Sequence, residues 1–441
     1  MNKPVEVIVV GAGLAGCEAA WYLAAHGVKV KLYEVKSVKK NPAQKTDGFA
    51  ELVCSNSLRG RDLTQGVGLL KEELKLLGSL VMEAALATEV PAGGALAVDR
   101  DLFSQYITNK IRSSDNIEVI ENEFREIDPD QLTIVATGPL TSGSLLASLT
   151  ALVGTEFSYF SDASAPIVAA DSIDYQKAYF ASRYGKGNME DYLNCPMDKV
   201  EYEAFYSKLI SAEGAEKHLE EEKEKYFEGC MPIEELARRG IKTLLFGPLK
   251  PVGLGLGDSR PYGVVQLRAE NQEKSMYNLV GFQTGLKFSE QRELISLIPG
   301  LESAEILRYG VIHRNTFINS PMVLNRYGFL NNHNNVFVAG QISGVEGYLE
   351  SAASGLYVGW QVLRKIKDLS FLDFPQETML ASMFRYITSS VNKKGKLEPM
   401  NANFGLLPLL SENIRDKKEK KLAMAKASLV ALKDFIGEVN G

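Results

Sequence analysis

The chain has 441 residues, 45% of them apolar and 24% charged, with a net charge of −6 and four cysteines. This is the balance of a soluble globular protein with room for roughly two or three domains. No apolar run reaches the ~18 residues of a membrane span. The cysteines, with no C-x-x-C pair, fit neither a zinc ribbon nor a thiol–disulfide oxidoreductase, so no metal site is expected. The acidic total does not point to nucleic acid, although such binding depends on the local patch rather than the sum. The start, "MNKPVEVIVVGAG", runs straight into a strand without the series of a signal peptide, so a cytoplasmic protein is expected.

Residues 5–34 read "VEVIVVGAGLAGCEAAWYLAAHGVKVKLYE". The apolar run Val7 to Val10 predicts a buried parallel strand. Leu14, Cys17, Trp21 and Ala24 then recur at helical spacing, and Gly27 suits the position just after a helix. "VKVKLY" is a second strand that ends at Glu34. The loop Gly11, Ala12, Gly13, Leu14, Ala15, Gly16 is thus a G-x-G-x-x-G between strand and helix, the context that makes this motif a dinucleotide fingerprint. Gly11 allows the tight turn, Gly13 lets the backbone approach a pyrophosphate, and Gly16 lets the helix pack on the sheet. The helix N-terminus faces the anion. Glu34 accepts from a ribose hydroxyl and repels a 2′-phosphate, so the tightly held nucleotide is expected to be FAD or NAD rather than NADP.

Two later stretches extend the same sheet. "LTIVATGPLTS" (132–142) is a strand running into a glycine turn. "NVFVAGQISGVEGYLESAASGLYVGW" (335–360) is a strand, a glycine-rich loop with Gly340 and Gln341, and a small-residue helix whose N-terminus can meet a second part of the cofactor. The expected fold is α/β: a Rossmann-type FAD-binding domain of residues 1–155 and 316–441, with a helical C-terminal segment, interrupted by an inserted α/β domain at 156–315. The insertion opens with "FSYFSDASAPIV" and holds an acidic helix at 214–226, the loop "FGPLKPVGLG" and the strand-like "YGVVQLRAEN".

Cys230 lies in "FEGCMPIEELARRG", a glycine turn before Pro232 and a helix start. By itself it reads either as a small buried hydrophobe or as a nucleophile, activated by the helix N-terminus and by Arg238 or Arg239. Cys54, in "ELVCSNSLRG", follows the first nucleotide unit on a loop that can reach a flavin face. Cys17 is expected in the core and Cys195 in packing. His26 closes the first helix at its negative end, His218 sits in the acidic run, and His333 is in a turn. His313 interrupts a strand-like run, "RYGVIHRNTF".

Over nearly the whole chain, "GAGLAGCEAAW", "ELVCSNSLRG", "NCPM", "FEGCMPIEELARRG", "FGPLKPVGL", "GFQTGLKFSEQ", "YGVIHRNTFINSP", "AGQISGVEGYLESAASG" and "PMNANFGLLP" follow one another in family order. In them the chain resembles the folate- and FAD-dependent tRNA (uracil-5-)-methyltransferases, relatives of the GidA-type tRNA-modifying flavoproteins. The resemblance implies formation of 5-methyluridine in the tRNA T-loop. The carbon would come from methylenetetrahydrofolate and the electrons through FAD from NAD(P)H. It implies that Cys230 is the nucleophile on uracil C6 and Cys54 the second functional thiol, and that His313 stacks on the pterin. Asn401 and Asn403 offer amide hydrogen bonds to a pterin or flavin edge. Leu397 and Glu398 depart from the aromatic residue and glutamine that the family carries there. Arg314, Lys250 and Lys287 are candidates for the folate carboxylates. Arg59, Arg61, Lys393, Lys394, Lys396 and the "KKEKK" run are candidates for RNA phosphates, and the target uridine must be flipped out to react. Two alternatives stand beside this reading: the same chemistry on ribosomal RNA, and a flavin- and RNA-binding module without turnover.

Overall fold

The computed structural model describes residues 5–41, 43–141, 143–154, 157–185, 187–188, 190–215, 231–254, 260–391, 395–408, 410 and 414–440. Strand β1 (Glu6–Val10), helix α1 (Leu14–Ala25) and strand β2 (Lys29–Glu34) follow the sequence reading. A six-stranded sheet runs in the order Phe329–Leu330, His333–Val338, Thr133–Val135, β1, β2, Ile117–Glu121. Neighbours are parallel, with Val9 opposite both Leu32 and Ile134. The exception is the edge strand Phe329–Leu330, which is antiparallel to its neighbour. His333 therefore opens a strand rather than sitting in a turn, because a short hairpin pairs it with Leu330. The chain leaves β1 toward β2 while Thr133–Val135 lies on the other side, so a crevice opens at the carboxyl end of β1, where ligands bind such sheets.

Small residues let two helices meet backbone to backbone over this sheet. A Cβ on Gly355, in the helix Tyr348–Ile366, would lie 2.1 Å from the Ala15 carbonyl oxygen of α1, and one on Gly359 would lie 3.2 Å from Ala19 Cα. Side chains there would push the helices apart.

Buried carboxylates close helix starts that lie far away in sequence. Glu18 of α1 accepts from the Leu80 and Val81 N–H groups at 3.0 and 2.9 Å. Glu73, in α2 (Gly66–Leu76), accepts from Met379 and Leu380 N–H at 2.7 and 2.9 Å, and from the Ser428 hydroxyl at 2.6 Å. These bonds satisfy first-turn donors and complement the helix dipole. Burial nevertheless pushes both carboxyls up to about 7.

The insertion builds its own antiparallel sheet in the order Tyr179–Phe180, Leu193–Met197, Gly263–Ala269, Met276–Leu279, Ile167–Ala169, Ile306–Arg308. Cys195 lies in the apolar core beneath it, beside Leu193, Phe205 and Leu267, and burial pushes its thiol up to about 12. Cys17 is equally buried, on the inner face of α1. The legs of the insertion pair as an antiparallel ladder, Phe157–Ala163 against Ile312–Ile318. The acidic helix expected over 214–226 falls mostly outside the described residues. The C-terminal part is helical as expected, with Met379–Ser389 and Lys417–Asn440. Among the described residues no helix is long and apolar enough to cross a membrane.

Two outcomes follow from this packing. Gly355→Ala lowers stability by about 1–3 kcal/mol in urea denaturation, because backbone must move to admit the methyl. Gly437→Ala, in the Lys417–Asn440 helix with nothing within 4 Å of the new Cβ, gains up to about 1 kcal/mol in the same assay. The second outcome concerns Glu73. Its carboxyl is raised from the ordinary 4.5 to about 7, so between those values the folded state binds more protons than the unfolded chain. Its contribution to stability is full below that window and is lost as pH rises through it. Denaturation at the two ends of the window therefore shows a decline for the wild type and a smaller decline for Glu73→Gln.

Candidate functional site

The carboxyl edge of the parallel sheet gathers the glycine loops. Gly11 has φ +98°, and a Cβ on it would lie 2.7 Å from the Ala136 carbonyl oxygen. A Cβ on Gly16 would lie 1.8 Å from the Gly11 carbonyl oxygen, so Gly11 and Gly16 are required by the fold itself. Gly13 differs: it is exposed, and a Cβ there meets nothing within 4 Å. It caps α1 without a side chain, which leaves the first N–H groups of the helix without an internal acceptor. Leu14 and Ala15 are buried behind it. Glu34 accepts from Ala12 N–H at 2.7 Å on one oxygen and from Val35 and Lys36 N–H at 2.8 and 3.0 Å on the other. A carboxylate accepts about four hydrogen bonds, so the first oxygen keeps a lone pair for a hydroxyl.

The second glycine loop lies against the first. A Cβ on Gly340 would lie 3.1 Å from Ala15 Cβ. Gly340 N–H donates to Ser354 Oγ at 2.6 Å, and Gln341 Nε2 donates to Glu346 at 3.1 Å. Gly347 (φ +115°) then starts the Tyr348–Ile366 helix, again without a side-chain cap. Each glycine loop is thus followed by a helix start without a side-chain cap, and the first, at exposed Gly13, is open to an anion.

Cys54 is half-buried, and its thiol donates to Ala163 O at 3.4 Å. Its segment is tied to the first glycine loop, because Ala50 N–H donates to Ala12 O at 2.9 Å. It is tied to the second by Tyr348 Oη, which accepts from Cys54 and Ser55 N–H at 2.6 and 3.1 Å. Ala163 pairs with Ile312, next to His313, which lies on the strand Ile312–Ile318 opposite Asp162. The side chains of His313 and Arg314 lie outside the described residues. Ile312 in turn lies against Gly285, where a Cβ would be 2.1 Å from its Cδ1. Gly285 N–H donates to Glu234 at 2.8 Å, and Ile233 N–H donates to Gln283 O at 2.7 Å. Ile233 and Glu234 open the helix Ile233–Arg238, as expected from Pro232. Cys230, just before it, lies outside the described residues. Contacts therefore run continuously from the Cys54 loop, past the His313 strand, to the helix after Cys230.

The 400–403 segment closes another side, through a bridge between Val345 and Met400. Asn401 Oδ1 is buried with no partner among the described residues. Asn403 is spent on its own turn: Oδ1 accepts from Gly405 N–H at 2.9 Å and Nδ2 donates to Asn401 O at 2.8 Å. Leu397 is buried against Gly344. Four of the basic candidates are engaged within the chain. Arg59 pairs with buried Glu350, and Arg61 with Glu89. Lys287 pairs with Glu213 at 2.5 Å, and Lys250 lies 5.7 Å from the centre of the Tyr184 ring. Lys393 and Lys394 lie outside the described residues. Among those described, no group of three or more His, Cys, Asp or Glu could hold a metal ion. Sequence reasoning missed Tyr348, Arg100, Arg268 and Arg308 around Cys54. Tyr348 does stand inside the quoted "AGQISGVEGYLESAASG", but nothing local joins it to a cysteine so far away.

The family model described as Glucose inhibited division protein A matches residues 6–370. The chain is 53% identical over 438 residues to the methylenetetrahydrofolate--tRNA-(uracil-5-)-methyltransferase TrmFO of Halalkalibacterium halodurans, covering 99% of each. It is 52% identical over 439 residues to the protein of that name from Caldicellulosiruptor bescii, covering 99% of this chain and 100% of the relative. Among solved structures, Aquifex aeolicus GidA in its form II crystal is similar with a TM-score of 0.71 at 15% identity, over 98% of this chain and 73% of that one. This last likeness bears on the fold alone.

The three glycines of the first loop separate folding from binding. Gly13→Val keeps the far-ultraviolet circular dichroism and costs no more than about 1 kcal/mol as a poorer cap, yet the purified protein loses its nucleotide absorbance. Gly16→Ala destabilises the fold in a thermal melt.

Proposed function

The chain belongs to the methylenetetrahydrofolate--tRNA-(uracil-5-)-methyltransferases, within the glucose inhibited division protein A family, and from that premise we propose that its two thiol segments work on one uridine of the tRNA T-loop beside a bound flavin. The enzyme transfers a one-carbon unit from methylenetetrahydrofolate to C5 of a tRNA uracil. FAD, when bound, relays to that carbon the reducing equivalents that NAD(P)H provides. The loop Gly11 to Gly16 would hold the pyrophosphate, Glu34 the ribose, and the Gly340–Gln341 loop the other end of the cofactor. The exposed face of Gly13 and the spare lone pair of Glu34 support this fit.

The chain's own residues prepare the uracil. C5 of uracil is a weak nucleophile. A Cys230 thiolate adding to C6 turns the ring into an enolate whose C5 takes the methylene carbon. A base then removes the C5 proton as the bond between that carbon and the folate nitrogen breaks and tetrahydrofolate leaves; a hydride equivalent completes the methyl, and the Cys230–C6 bond breaks to release the thiolate. We assign Cys54 to the proton transfer or to shielding the reduced centre. The His313 strand and Asn401 would hold the pterin, with the unpartnered Asn401 Oδ1 facing its N–H groups. The observation that carries the reading is the run of contacts joining Cys54, Ala163, Ile312, Gly285 and Glu234. It joins the Cys54 loop, the His313 strand and the helix that follows Cys230 beside the glycine loops, which supports the reading. The division into a cofactor domain (1–155, 316–441) and an inserted domain (156–315) belongs to the same proposal. Arg59 and Arg61 serve RNA only through N–H groups not already given to Glu350 and Glu89.

The test incubates the protein with methylenetetrahydrofolate, NADPH and either undermodified tRNA or ribosomal RNA. 5-Methyluridine is expected in the tRNA T-loop; methylation confined to ribosomal RNA would sink the reading. Cys230→Ala keeps its flavin and still oxidises NADPH, because that half-reaction needs no bond to RNA, but forms no 5-methyluridine. With 5-fluorouridine T-loop RNA the wild type forms a covalent adduct that survives denaturing gels and maps to Cys230. Turnover by Cys230→Ala near the wild-type rate would make this a packing cysteine.

His313→Ala raises the KM for the folate several-fold, as expected for a lost aromatic stack worth ~0.5–1.5 kcal/mol, and leaves the flavin bound. Loss of flavin with unchanged folate dependence would mark the residue as structural.

A further inference from the structure

The segment Leu52–Asn56, which carries Cys54, is fastened at every residue by side chains from distant parts of the chain. Arg100, first residue of the helix Arg100–Arg112, donates Nη1 to Leu52 O. Arg308, at the end of the inserted strand Ile306–Arg308, donates Nη2 to Val53 O. Tyr348 Oη accepts the N–H groups of Cys54 and Ser55. Arg268, from the inserted strand Gly263–Ala269, donates Nη2 to Ser55 Oγ and Nε to Asn56 Oδ1, both at 3.0 Å. Asn56 Nδ2 passes the link on to Val98 O and Ala269 O at 3.0 and 2.9 Å. Glu270, itself 2% exposed, holds Arg100 through Oε2 at 2.8 Å.

Placing three guanidiniums around five residues is costly. Burial pushes Arg268 and Arg308 below the ordinary arginine range, with Arg100 adding to the effect on each. Burial and the neighbouring Cys54 push the Tyr348 phenol up, so it stays protonated. A loop needing only to be ordered could have turned its peptide groups to water at lower cost. The bonds lie on both sides of the Cys54 Cα. They fix its backbone and leave χ1 as the main freedom of the thiol.

We propose that Tyr348, Arg268 and Arg308 form a positioning clamp for the Cys54 thiol, through which the inserted sheet sets the geometry of a residue carried by the cofactor-binding part of the chain. The clamp rests on the reading of Cys54 as a functional thiol. These are positioning residues, acting through the peptide groups they hold. Small displacements of a reacting group are costly, of the order of 100-fold in rate for about 1 Å.

The experiment uses the full-length, flavin-loaded enzyme with Tyr348→Phe, Arg308→Met and Arg308→Lys. It reads flavin absorbance, kcat and KM for tRNA methylation, and the rate at which iodoacetamide alkylates Cys54, followed by peptide mass. Tyr348→Phe and Arg308→Met are expected to keep the flavin and the KM values, to lose about 10- to 100-fold in kcat, and to alkylate Cys54 several-fold faster as the loop is released. Arg308→Lys, which keeps the charge and one donor, recovers part of the kcat. An unchanged kcat in both variants overturns the clamp, as does a fallen kcat with unchanged alkylation. If Arg308→Met does not fold, Tyr348→Phe, which removes a single oxygen, decides alone. Full turnover by Cys54→Ala would instead defeat the functional reading of Cys54, while the alkylation rates still report whether the clamp holds the loop.

Discussion

The arrangement depends on the approach of α1 and the Tyr348–Ile366 helix, with Gly355 against the Ala15 carbonyl and Gly359 against Ala19. Each helix begins at an uncapped glycine, Gly13 or Gly347. Because their bodies touch backbone to backbone, their N-terminal ends converge at the carboxyl edge of the same sheet. The positive ends of two helix dipoles therefore lie at that edge. A larger residue at the crossing would separate those ends, and with them the two halves of the cofactor cradle.

Around this crossing, buried charged side chains act as long-range ties. Glu73 joins α2 to two C-terminal helices, and Glu18 joins α1 to the Leu80 helix start. Arg100, Arg268 and Arg308 join the Cys54 segment to the inserted sheet. Burying an ion is unfavourable. It is tolerated here because these groups take directed hydrogen bonds, three at Glu73 and two each at Glu18, Arg100 and Arg268. The residual penalty is visible in the raised carboxyls of Glu18 and Glu73. These ties put the C-terminal segment and the insertion in fixed relation to the glycine edge, although neither belongs to the parallel sheet.

In the proposed function the chemistry is assigned to the seam where the ladder Phe157–Ala163 and Ile312–Ile318 meets the Cys54 loop. The insertion's two legs pair as that one ladder, and Ala163 on one leg accepts from the Cys54 thiol while Ile312 on the other packs on Gly285. A seam between two sheets suits a reaction that must bring together a nucleotide cofactor, a folate and a base, since each sheet can supply a wall.

The sequence alone established the strand–helix–strand unit, the tight turn at Gly11 and the close packing at Gly16, because β and helical periodicity and glycine conformations are local properties. It also identified the Gly340 loop, the His313 strand and the helix after Pro232 from short patterns, and the family from motifs in order. Tertiary structure alone decided which side chains are already spoken for. Arg59 and Arg61 read as free surface cations, yet each has an acid from a distant segment. Asn401 and Asn403 read alike, yet one is spent on its own turn and the other keeps a buried unpartnered oxygen. Tyr348 reaches Cys54 across 294 positions. No window of sequence contains both partners of such a bond, because the pairing arises only when the sheet order and the helix crossing bring their segments together.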